Sequence, residues 1–159
     1  MAVYSKSQID RWNHFLKERE YPKISVNLGN GRRFKYFLMD QKENPDLPDF
    51  AIAMRARNLS DGTIFGVSDS VPEELRKYWA AHEYMETVEL APKTPNKCLI
   101  TLEKELSLVP DNLKAGYITR RRDFFENLVA YAVKKRYDET DVENFKASLN
   151  RLESLVLVS

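Results

Sequence analysis

One helical stretch of the sequence, residues 71–90, places ionisable side chains where apolar ones are expected. At about 100° per residue, His82, Glu86 and Glu89 fall in the middle of the apolar side, and Glu83 falls at its edge. The apolar residues that define this side are Val71, Leu75, Tyr78, Trp79 and Leu90. A histidine and two carboxylates are therefore predicted to lie in the interior of the protein.

Burying these side chains requires partners, because an unpaired buried carboxylate costs several kcal/mol or takes up a proton. The partners can be a metal ion, an arginine or lysine from another helix, or the water of a cleft. His82 and Glu86 are four residues apart and lie one above the other on the same helix face, so they can share one ligand.

The sequence His-Glu-Tyr-Met-Glu at positions 82–86 resembles the HExxH helix of the zincin metallopeptidases. In that motif two histidines bind zinc and the intervening glutamate activates water. The order of elements is also similar to that family, with an edge strand at 63–67 directly before the helix. The resemblance implies Glu83 as the catalytic residue, and a metal bound by His82, Glu86 and a carboxylate from a later helix, Glu126.

This chain departs from the family motif at Glu86, which stands where the second histidine belongs. The only other histidine, His14, is predicted on the polar side of the first helix, so a two-histidine site cannot form. A site of His82, Glu86 and Glu126 would bind a divalent metal (Zn, Mn or Fe). Its oxygen-rich ligand set suits manganese or iron better than zinc.

A second interpretation needs no metal. His82, Glu86 and Glu89 would then form a buried salt network with Arg121 or Arg122, and the domain would be a non-catalytic protein-interaction module. The apolar end of the last helix would provide a contact for a homodimer or another protein partner. The sequence does not decide whether the domain is an enzyme, and peptidase activity is not predicted.

The surrounding pattern predicts an α+β fold: an N-terminal helix, a four-stranded, mainly antiparallel sheet, then about four helices. Alternating apolar residues indicate two hairpins joined by a polar loop at 40–49, and Ser70 and Thr140 each begin a capping-box sequence. The predicted helices cover 7–20, 71–90, 96–109, 118–137 and a last segment from 140.

Length and composition fit one domain, residues 1–159, with 43% hydrophobic and 31% charged residues. Cys98 is the only cysteine, so no intrachain disulfide can form and a reducing, cytoplasmic location is expected; it is interpreted as a small packed residue. No apolar run reaches the ~20 residues of a membrane span. The net charge of +1 argues against a nucleic-acid partner.

Overall fold

A computed structural model of the chain describes residues 21–55 and 63–158. Eight regular elements follow one another, with short 3₁₀ turns at Gln41–Glu43 and Glu73–Leu75 and a π-helical turn at Met85–Glu89. The strands are β1 (Lys23–Asn27), β2 (Arg33–Met39), β3 (Ala51–Arg55) and β4 (Thr63–Ser68). The helices are α1 (Arg76–Tyr84), α2 (Lys97–Leu108), α3 (Asp111–Lys134) and α4 (Glu139–Val158).

The four strands form one mixed sheet in the order β1-β2-β4-β3. Strands β1 and β2 pair antiparallel, as do β3 and β4, whereas β2 and β4 run parallel with Phe37 opposite Gly66. The α+β class and the mainly antiparallel sheet are therefore confirmed. The predicted edge position of residues 63–67 is wrong, because β2 pairs with the free side of β4 and leaves β1 and β3 at the edges.

The core lies between the sheet and the helices and continues between the helices themselves. Trp79 is fully buried and donates a hydrogen bond from Nε1 to the carbonyl of Asp49, 2.9 Å away, which ties α1 to the start of β3. The apolar stripe of α4 closes this core through Val142, Phe145 and Leu152. None of the described helices combines the length and the hydropathy of a membrane span.

Two helix starts differ from the sequence prediction. The capping box at Ser70 is wrong, because the Ser70 hydroxyl donates instead to Asp49 Oδ1 at 2.6 Å, and the first turn after Pro72 is 3₁₀. Helix α3 begins at Asp111, well before the predicted residue 118, because Pro110 already has the extended backbone that precedes a helix. The predicted helix at 7–20 with His14, and most of the turn between β3 and β4, lie outside the described residues.

Candidate functional site

Three consecutive helices meet where the sequence placed its buried ionisable residues. Each helix contributes residues spaced by four or seven positions, which lie on one face and point at the neighbouring helix. The π-helical turn after α1 places Glu86 next to the residues of the helices. The side chains concerned are His82 and Glu86 from α1 and its π-helical turn, Cys98 and Glu105 from α2, and Tyr117 and Arg121 from α3.

His82 lies at the centre of this group, and both ring nitrogens have partners. Its Nδ1 lies 2.6 Å from Glu105 Oε1, its Nε2 lies 3.0 Å from Glu86 Oε2, and Cys98 Sγ lies 3.9 Å from Nε2. Burial alone would lower the pKa of His82, but the hydrogen bonds to Cys98, Glu105 and Glu86 outweigh burial and raise this pKa well above its usual value. In the metal-free chain the ring is therefore an imidazolium that donates to both carboxylates.

Glu105 is completely buried and accepts hydrogen bonds from three side chains. Arg121 donates from Nε to Oε2 at 2.8 Å and from Nη2 to Oε1 at 3.1 Å, and the Tyr117 hydroxyl also donates to Oε2. Burial opposes ionisation, but the charge of Arg121 and then the contact with His82 lower the pKa of Glu105. The Arg121 guanidinium also lies over the Trp79 ring, 4.1 Å from its centroid, so it is held in the core by both charge and packing.

Glu105 was missed by the sequence analysis, although its position carried a signal. It falls on the buried face of α2 with Leu102 and Leu106, so the same helical periodicity that singled out Glu86 marks it as a buried carboxylate. Arg121 was predicted to join a salt network and does so, but through Glu105 and not directly through Glu86.

Two other members of the predicted network lie elsewhere. Glu89 is only partly buried and lies 3.4 Å from Arg32 Nη1, because the wider π-helical turn changes the angle between successive residues and takes Glu89 out of phase with His82. Arg122 pairs instead with its neighbour Asp123 at the surface. The buried network is therefore smaller than predicted.

The structure does not bring the three predicted metal ligands together. Glu126 is exposed on α3, and it is not brought to His82. Among the described residues, the donors that converge are His82, Glu86 and Cys98, whose ligand atoms all lie within 4.8 Å of one another. Cys98, interpreted from the sequence as a packed residue, thus lies beside His82 and Glu86, where Glu126 was predicted to lie.

Two spaces meet at this cluster. A small cavity of about 40 Å³ is lined on its polar side by His82, Glu83, Glu86, Cys98 and Arg121. A larger cleft of about 450 Å³ lies between residues 92–98 and the start of α4. Glu86, Cys98 and Phe145 line both spaces. The thiol and one carboxylate of the cluster therefore border both the cavity and the cleft.

Two residues that line the small cavity each have one buried polar atom, Glu83 Oε2 and Arg121 Nη1, with no hydrogen-bond partner among the described residues. Burial, followed by the nearby charge of Glu86, raises the pKa of Glu83 to about 7, although His82 and Arg121 act in the opposite direction. The predicted catalytic residue thus lies beside the cluster and is half-ionised near neutral pH. Its catalytic role stays a prediction.

Comparison of the chain with protein-family models, with curated proteins and with solved structures finds no match. The function must therefore be argued from the geometry of this cluster.

Replacing Glu105 by glutamine tests the structural part of the cluster. Glu105→Gln leaves the buried guanidinium of Arg121 without a counter-charge, so we expect the free energy of unfolding to fall by about 3–5 kcal/mol. Urea denaturation measures this change. The control is Glu103→Gln on the same helix, which breaks only an exposed pair with Arg151 and should change stability little. Equal effects of the two substitutions would contradict the assignment.

Replacing Glu83 by glutamine tests the burial of its carboxyl group. Because the pKa of Glu83 rises on folding from 4.5 to about 7, the folded state binds its proton more tightly, and stability is lost as pH rises through this range. The free energy of unfolding of Glu83→Gln, relative to the wild type, should therefore increase as the pH is raised from about 5 to about 8. Denaturation curves at both pH values measure the difference, with Glu126→Gln as the control for removing a surface carboxylate. A difference that is independent of pH would refute the assignment.

Proposed function

We propose that this chain is a zincin-like metal-binding domain that holds a zinc ion by His82 Nε2, a Glu86 carboxylate oxygen and the Cys98 thiolate. One observation carries the proposal. Three donor atoms, from α1, its π-helical turn and α2, converge within 4.8 Å of one another, and their residues border the larger cleft or the small cavity.

The two donor-atom distances that involve His82 are close to those around a tetrahedral ion. Nitrogen and oxygen ligands lie about 2.0–2.1 Å from zinc and sulfur about 2.3 Å, which separates a nitrogen from an oxygen by roughly 3.3 Å and from a sulfur by roughly 3.6 Å. His82 Nε2 lies 3.0 Å from Glu86 Oε2 and 3.9 Å from Cys98 Sγ. Shifts of a few tenths of an ångström would bring these two distances to the tetrahedral values, and the Glu86 oxygen and Cys98 Sγ already lie within 4.8 Å of each other.

Glu105 contacts the ring nitrogen of His82 that does not bind the proposed ion. Histidines that bind metals usually donate their second ring N–H to a carboxylate, which fixes the tautomer and the ring orientation. Here Glu105 accepts from Nδ1 of His82 at 2.6 Å, and Arg121 and Tyr117 in turn hold Glu105. In the zinc-bound form Nε2 would lose its proton and direct its lone pair to an ion between Glu86 and Cys98.

With the Cys98 thiolate as third ligand, the expected metal differs from the one predicted from the sequence. With Glu126 as third ligand the sequence favoured manganese or iron, but a set of nitrogen, oxygen and sulfur suits zinc. Zn²⁺ can replace one proton on His82 and one on Cys98, so the net charge of the buried cluster is unchanged. A zinc-bound thiolate also fits the reducing conditions of the cytoplasm, which we propose as its location.

Three protein ligands leave a fourth position for water or substrate, as in catalytic zinc sites. A zinc ion held in this way supplies Lewis acidity at neutral pH. Glu83, which lines the same cavity, is the candidate general base. Peptidase activity is not part of the proposal, because nothing in the cleft identifies a peptide substrate.

A second candidate is supported by the charge balance of the metal-free cluster. Two carboxylates, Glu86 and Glu105, face two cations, His82 and Arg121, in three ion pairs. Such a network can be purely structural, and the domain would then be a protein-interaction module. The exposed Leu157 and Val158 at the end of α4 would be its contact with a second copy or another protein.

Replacing Cys98 by serine separates the two candidates, because Cys98 belongs to the proposed metal site but to none of the ion pairs. If zinc is bound, the wild type takes up one equivalent in a calorimetric titration. Cys98→Ser should then lower the affinity by more than about a hundredfold, with unchanged circular dichroism. Glu126→Gln serves as the matched control and should bind zinc like the wild type. If none of the three proteins binds zinc, the structural network is the correct description.

A further inference from the structure

The β1–β2 hairpin at one edge of the sheet carries basic side chains that have no acidic partner among the described residues. Residues 21–39 contain four basic residues and no acidic one, whereas the whole chain has 25 basic and 24 acidic residues. One of the four, Arg32, pairs with Glu89. The other three, Lys23, Arg33 and Lys35, are exposed and form no ion pair within the described part of the chain. Positive charge is therefore left uncompensated along this hairpin.

The register of the hairpin places these charges on one face of the sheet. Lys35 lies opposite Ser25 and Arg33 lies opposite Asn27. Side chains two residues apart along a strand share a face, so Lys23 lies on this face as well. Lys35 and Arg33 are one strand behind the edge, but only the short side chains of Ser25 and Asn27 separate them from it. A side chain on a strand added at this edge would therefore meet a positively charged surface.

The outer side of β1 has unpaired backbone groups. The amide of Leu38 donates to the carbonyl of Pro22 at 2.9 Å. Hydrogen-bonded pairs alternate along an antiparallel ladder, so Ile24 and Val26 also direct their N–H and C=O groups at β2. The residues that direct these groups outward, where no strand lies among the described residues, are Lys23, Ser25 and Asn27. A further strand can pair with them.

The opposite face of this edge borders a groove. A space of about 630 Å³ is lined by β1 and by residues of the segments 73–78 and 110–113. Its charged lining residues are two glutamates, one arginine and one lysine, so their charges cancel. Its apolar and aromatic lining residues are Ile24, Val26, Tyr36, Tyr78, Pro110 and Leu113. This side of the edge can therefore accept apolar side chains.

We propose that β1 binds an extended segment of another protein in which acidic residues alternate with apolar residues. Side chains of an extended chain alternate between the two faces of a sheet, so the acidic residues would face Lys23, Arg33 and Lys35 and the apolar residues would enter the groove. The backbone of the segment would pair with the outward groups of β1, which is the general mode of strand addition. The surface contains none of the proposed zinc ligands, so the inference is independent of the metal site.

The chemistry of the edge favours this partner over two others. A second copy of β1, paired antiparallel, would place the lysines of both copies on one face, and like charges opposite each other are destabilising. A nucleic acid would contact the basic face, but its phosphates only accept hydrogen bonds and would leave the outward carbonyl groups of β1 without donors. A polypeptide strand supplies both donors and acceptors at the matching spacing.

An octapeptide in which glutamate alternates with valine tests the proposal. Hydrogen exchange of the full chain, measured by NMR, should slow roughly tenfold at the outward amides of Ser25 and Asn27 in excess peptide, because these amides become hydrogen-bonded. The amides of Ile24 and Val26 already bond to β2, so they should change little and serve as an internal control. A peptide with lysine in place of glutamate should give no protection.

Two pairs of variants separate strand addition from simple attraction between charges. Ser25→Pro removes one outward N–H, a change that an edge strand tolerates, and should weaken binding by roughly three- to tenfold. Ser25→Ala keeps this N–H and should bind like the wild type. Lys35→Glu should weaken binding by roughly threefold or more, whereas Lys104→Glu, an exposed change on α2, should not. Chemical-shift titrations measure the dissociation constants.

Absence of exchange protection at Ser25 and Asn27 in excess peptide would overturn the proposal. So would equal affinity for the lysine peptide. Loss of binding in Lys35→Glu with unchanged binding in Ser25→Pro would also refute it, since the surface would then attract anions without pairing with a strand. A labelled single-stranded oligonucleotide that binds more tightly than the acidic peptide would assign this face to a nucleic acid instead.

Discussion

A carboxylate with no exposure to solvent lies where three helices meet, and the arrangement of the site depends on keeping it charged. Glu105 is buried completely, and removing an ion from water costs several kcal/mol unless partners surround it. Arg121, Tyr117 and His82 all approach its two oxygens. Since these partners come from α1 and α3, the requirement to satisfy one residue of α2 fixes how the three helices pack.

The same requirement orients His82. With Nδ1 committed to Glu105, the ring can turn only Nε2 toward Glu86 and Cys98. The π-helical turn at Met85–Glu89 then sets the position of Glu86 and removes Glu89 from the cluster. The buried ion pairs already orient His82 and Glu86, and a zinc ion bound by Nε2, Glu86 and Cys98 would use this orientation. The structural network and the proposed metal site therefore share most of their residues.

Local patterns in the sequence were sufficient for most of the described elements and for part of the site. Alternation identified the strands, and helical periodicity placed His82 and Glu86 in the interior, because these signals depend on near neighbours in the chain. The parallel pairing of β2 with β4 could not be predicted in this way, since it depends on how two hairpins associate. The position of Cys98 beside His82 was missed for a similar reason: Cys98 and Glu126 lie on different helices, and only packing decides which one reaches His82.

X-ray absorption at the zinc edge of the zinc-loaded protein tests the proposed coordination most directly, because it counts sulfur ligands. We expect one sulfur at about 2.3 Å, with nitrogen and oxygen ligands at about 2.0–2.1 Å, and loss of the sulfur signal in Cys98→Ser. A spectrum of the wild type that contains only nitrogen and oxygen ligands, unchanged in the variant, would contradict it and leave the buried ion pairs as a structural network.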